Sequence, residues 1–125
     1  MVKLRGIEGR IYVGLRDFDR AERAFLQVKE GFEREKMIYD AALISFDLAA
    51  VWLQEGKRKE VRQLIQEMLE TFRTRYVARE AIASLLMLRD AADRGSLSLD
   101  LLDMVAAFFR NLKEDSKAQD PGELH

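Results

Sequence analysis

Residues 37–54 read MIYDAALISFDLAAVWLQ, with Asp40 and Asp47 as the only charges. At helical spacing the apolar side chains of this stretch cover nearly the whole circumference. A helix that is hydrophobic on most faces must be packed on several sides. Residues 77–92 (VAREAIASLLMLRDAA) are almost as apolar and imply a second helix of the same kind.

The segments between these two have another character. Phe18, Ala21, Phe25, Val28 and Phe32 form one apolar stripe on an otherwise charged cylinder. Residues 58–72 repeat it with Val61, Leu64, Ile65, Met68, Leu69 and Phe72, and residues 99–112 with Leu101, Leu102, Val105, Phe108, Phe109 and Leu112. These are amphipathic helices. Breaks fall at Glu55-Gly56, Thr74-Arg75 and Gly95-Ser96, where Gly56 and Gly95 suit the left-handed position that ends a helix. Ser96 or Ser98 can cap the last helix. The chain has 48% hydrophobic and 34% charged residues with 7 Gly and 1 Pro, a composition that favours helices with wet faces. The expected fold is therefore all-α, about six helices in stacked antiparallel hairpins, within one domain over residues 1–114. Its units span about 1–36, 37–76 and 77–114. Residues 115–125 (DSKAQDPGELH) have no apolar period and are expected to form a disordered polar tail.

The segments LRDFDRAERAF, QEGKRKEVRQLI and DRGSLSLDLLDMV occupy equivalent places, with Arg16, Gly56 and Gly95 at the turns. The spacings are 40 and 39 residues, and each unit is a helical hairpin that must stack on neighbours to bury its apolar faces. In the first unit Gly9, Tyr12, Asp17-Phe18, Ala21 and Phe25 follow the pattern of a tetratricopeptide repeat, which the chain resembles over about residues 2–112. The second unit follows it with Leu48, Ala49, Trp52 and Gly56 but has Val61 and Ile65 in its second helix. The period exceeds the usual 34 residues and the closing proline is missing, so the resemblance is to the longer-period arrays of bacterial regulatory proteins. It implies a TPR-like α-solenoid whose first (A) helices line a groove for a peptide or helix. The segment Met1–Leu15 carries Leu4, Ile7, Ile11, Tyr12 and Leu15 among Gly6, Gly9 and Gly14, without a polar cap. That start suits the C-terminal part of a larger protein.

Enzyme chemistry finds little footing. Cysteine is absent, the single histidine is the terminal His125, and Ser45, Ser84, Ser96 and Ser98 have no base in view. Neither GxGxxG nor GxxxxGK[ST] occurs. Asp40 and Asp47 share a helix face but sit about 10 Å apart along the axis, too far for one small cation. We expect no catalytic residues, no metal site and no cofactor. Net charge is −1, no run approaches a membrane span, and a cytoplasmic protein is expected. The most basic stretch, residues 57–80, carries seven Lys/Arg against four Asp/Glu. Lys57, Arg58, Lys59, Arg62, Arg73, Arg75 and Arg79, with Tyr76 to stack, give a nucleic-acid-binding alternative.

The favoured expectation is a non-catalytic scaffold for protein–protein interaction. In the family register Leu43, Phe46, Ala50 and Leu53 would line the groove in the second unit, with Arg10 and Val13 in the first. An apolar centre with a basic rim suits an amphipathic or acidic partner segment, or a second copy of the chain as a homo-oligomer. A regulatory domain sensing a small ligand is the remaining alternative.

Overall fold

The structure, a computed structural model, describes residues 2–75 and 78–118. It is all-α, with α1 Val2–Gly14, α2 Phe18–Arg34, α3 Ile38–Gln54, α4 Arg58–Thr74, α5 Arg79–Asp93 and α6 Leu99–Ala118. No strand occurs among the described residues. α6 continues four residues past Glu114, into the stretch expected as tail, and residues 119–125 lie outside the described ones.

The turns show why the helices stop where they do. Arg16, Lys36, Gly56 and Gly95 all have positive φ, between 58° and 75°. After each, the next backbone N–H reaches back five residues: Asp17 to Tyr12 O, Met37 to Phe32 O, Lys57 to Trp52 O and Ser96 to Ala91 O. The left-handed residue itself bonds three back, to Val13, Glu33, Leu53 and Ala92. These paired bonds are the Schellman closure, which satisfies carbonyls that a helix end leaves open. Side chains cap the starts of α2 and α6, whereas α3, α4 and α5 begin without a side-chain cap. The Asp17 side chain accepts from Arg20 N at 3.3 Å, and Ser98 Oγ accepts from Leu101 N at 3.1 Å.

α2, α3 and α4 each have 17 residues and begin at 18, 38 and 58, so the 40-residue unit is two helical modules of equal length. Tyr12, Phe32, Trp52 and Phe72 recur at that 20-residue interval, each two residues before the last residue of its helix, α1 to α4. The 40-residue spacing thus comes from 17-residue helices, because the turns between α1, α2, α3 and α4 hold only three residues each.

Consecutive helices pack as antiparallel hairpins, and one further contact shapes the molecule: α6 lies against α3. α3, α4, α5 and α6 therefore close into a ring, and the α1–α2 hairpin attaches to it chiefly through α2, with Gly6 and Arg10 of α1 also reaching Ile44 and Asp47 of α3. The ring encloses an aromatic cluster. Phe109 of α6 is 0% exposed, with its ring centroid 5.0 Å from Phe46 of α3 and 5.4 Å from Phe72 of α4. Tyr39 stands edge-on to Phe72 at 5.5 Å. Edge-to-face pairs at these separations add to plain burial. In the hairpin, the Phe25 ring rests on the backbone of Gly9, where a Cβ would lie 2.5 Å from the ring carbon Cε1.

Candidate interaction surfaces

α3 is the structural axis, so the residues expected to line a groove are best located around it. Phe46 is 3% exposed and belongs to the aromatic cluster beneath α6. It is core, and the expectation that it faces a partner is corrected here. Leu43, Ala50 and Leu53 are half-buried and pack against the same core. Leu53 also borders a small cavity of about 40 Å³ with Arg58, Ala92 and Leu97. The cause is α6, which lies over the α3 face that an open array would leave free. The stripe of α6 carried the signal: adjacent pairs Leu101-Leu102 and Phe108-Phe109 make it wider than one neighbouring helix requires.

Arg10 and Val13 sit on α1, Arg10 exposed and Val13 half-buried in the core's edge. The Arg10 guanidinium pairs with Asp47 of α3 at 3.5 Å. Burial pushes the Asp47 carboxyl above the usual carboxylate range, against the opposing pull of Arg10. Arg110 and Asp103 of α6 lie close enough to act on the same charge. The second α3 carboxylate, Asp40, pairs with Lys113 of α6. Both aspartates therefore tie α3 to its neighbours.

The other side of α1 is different. Ile7, Ile11 and Leu15 are 52%, 56% and 72% exposed and follow one another at intervals of four. That spacing aligns them on one face, opposite the buried Gly6 and Gly9. α1 thus has two apolar sides and packs chiefly on α2. Sequence reasoning noted these residues but assigned them no surface, because three glycines obscured which side of α1 is covered.

A third surface is a trough between α2 and α4 with α3 as its floor. It consists of two open cavities of about 200 and 270 Å³ that share Lys29, Leu64 and Glu67. Lys29 is 16% exposed; its ammonium lies 3.2 Å from Glu33 and 3.8 Å from Glu67, so it forms a rung across the trough. Trp52 lines the second cavity, and its buried Nε1 has no hydrogen-bond partner among the described residues. Each cavity is smaller than the ~300–1,000 Å³ typical of small-molecule sites.

The basic residues of 57–79 do not form one stripe. Lys57 to Arg62 gather at the start of α4, whereas Arg73, Arg75 and Arg79 gather at its end, about 20 Å away. Lys57 is held by Glu22 at 3.4 Å and Glu55 at 3.6 Å, and Arg62 lies 3.9 Å from Asp93. Tyr76 lies outside the described residues, as does His125. Among the described residues no cluster of three His, Cys, Asp or Glu side chains has the geometry to hold a metal ion. No described helix is long and apolar enough to cross a membrane. No protein-family model matches the chain, and neither the curated proteins nor the solved structures yield a significant match.

Proposed function

We propose that this chain is a non-catalytic protein–protein interaction scaffold built of tetratricopeptide-like helical hairpins, which takes a partner helix on the outer face of α1. The observation that carries the reading is the exposed pair Ile7 and Ile11 on a helix whose opposite side is already packed, continued by Leu15 in the turn that follows. A helix with two apolar sides needs two neighbours, and a contiguous apolar strip on a soluble domain is characteristic of association surfaces. Arg10 beside the strip is already paired with Asp47 and Glu8 with Arg5, so the partner is recognised chiefly through its apolar face. The Gly9–Phe25 approach supports the family reading of the first hairpin. The closure of α6 onto α3 departs from an open array and moves the free surface from α3 to α1.

The test is a capture experiment with the wild-type chain and an Ile7→Glu, Ile11→Glu variant whose circular dichroism and melting match wild type. A specific protein held by the wild type at high salt and lost by the variant is the expected result. Sedimentation velocity of the same pair separates a foreign partner from a second copy. Identical capture by both proteins contradicts the proposal.

A further inference from the structure

We infer that the trough between α2 and α4 is a second docking surface, taking one amphipathic partner helix that runs parallel to α3, acidic in its first turn and with apolar anchors seven residues apart. This does not depend on the role given to α1.

The spacing comes from the cavities. The first lies over Ala41, Ala42 and Ser45 of α3, and the second over Leu48 and Trp52. Corresponding floor positions, Ala41 and Leu48 or Ser45 and Trp52, differ by seven residues, or about 10 Å along a helix axis. Positions i and i+7 of a helix laid above α3 match that distance, the usual reading of a helix in a groove. The Lys29–Glu67 rung separates the two cavities. One anchor therefore enters on each side of it, and the ion pair stays in place beneath the partner.

Direction comes from charge. Lys36 and Arg75 border the first cavity, at the end where α2 and α4 finish and α3 begins. Glu60 borders the second cavity at the opposite end. An occupant with acidic residues in its first turn and basic residues in its last satisfies both ends. That is also the distribution its own macrodipole favours. The Trp52 indole borders the second cavity, so an anchor seated there changes its surroundings.

The probes are two synthetic helical peptides of about four turns with Leu at i and i+7. One has Glu in the first turn and Arg in the last, and the other has these charges exchanged. Fluorescence of Trp52, the only tryptophan, reports binding, and amide chemical shifts locate it. The acidic-first peptide is expected to bind at least about tenfold more tightly at low salt, a difference that shrinks as salt is added. A Lys36→Glu, Arg75→Glu variant, both exposed positions, is expected to reverse the order. The Ile7→Glu, Ile11→Glu variant is expected to bind the peptide as wild type does, so the two surfaces succeed or fail separately. Equal affinities, absence of binding, no reversal in the charge variant, or shifts confined to α1 each overturn the inference.

Discussion

The ring of α3–α6 and the α1–α2 hairpin are made from the same module, yet they bury their residues differently. In the ring every helix has a neighbour on both sides, and Leu85, Leu88 and Phe109 are fully buried. In the hairpin α2 matches this standard with Ala21, Ala24 and Phe25, while α1 turns Ile7 and Ile11 outward and Leu15 follows exposed in the next turn. The turns differ in the same sense. The two closing within the ring, at Gly56 and Gly95, place glycine at the left-handed position, whereas those on either side of α2 place Arg16 and Lys36 there. A side chain in that conformation costs about 1–2 kcal/mol relative to glycine. The turns thus favour the ring, whereas α1 packs closely on α2 and leaves its other side uncovered.

The largest effect expected from breaking this contrast is at the ring's centre. Phe109→Ala removes the ring that joins α3, α4 and α6, and should cost about 3–5 kcal/mol in chemical denaturation. A loss below about 1 kcal/mol would mean that α6 does not close the ring. Next is Gly9→Ala, whose new methyl meets the Phe25 ring. Overpacking of this kind should cost about 1–3 kcal/mol, and amide exchange should place the loss in α1 and α2 with the ring intact.

The turn contrast gives a gain. Arg16→Gly and Lys36→Gly should each stabilise the protein by about 1 kcal/mol, read as a rise in melting temperature, whereas Gly56→Ala should lower it. The smallest effect concerns Asp47. Burial raises its folded-state pKa above the ordinary range, so its contribution is fully present below the unfolded pKa and lost as pH rises through the folded value. Wild-type stability should therefore fall over that window just above the usual carboxylate range, and Asp47→Asn should remove that component. At neutral pH the substitution should be neutral or stabilising, because the exposed partner Arg10 returns at most about 1 kcal/mol. A clear destabilisation at neutral pH would show that the Arg10 pair outweighs burial.

Much of the fold was legible in the residues because it follows from local pattern. The stripes on α2, α4 and α6, the wholly apolar α3 and the glycines at 56 and 95 each report on one element and its ends. The turn at Lys36 was hidden, since Lys36 adopts a conformation that its chemistry does not advertise. What pattern could not supply was partnership. An apolar face records that a helix is covered without recording by which neighbour, so the repeat register placed Phe46 in a groove although it is core. The contact of α6 with α3 decides it, joining residues more than sixty positions apart. Likewise α1 showed its apolar residues, but only the approach of Phe25 to Gly9 reveals which side is packed and which is free.

Residue-resolved hydrogen exchange of the wild-type chain under native conditions is the most direct examination of α1 as a helix still lacking a neighbour. Amides of α1 should exchange through a local opening well below the global unfolding free energy, with α3, α4 and α6 sharing the global value. Protection of α1 equal to that of α3 would mean that its outer face is already covered in solution, and would contradict the unfinished edge on which the proposed function rests.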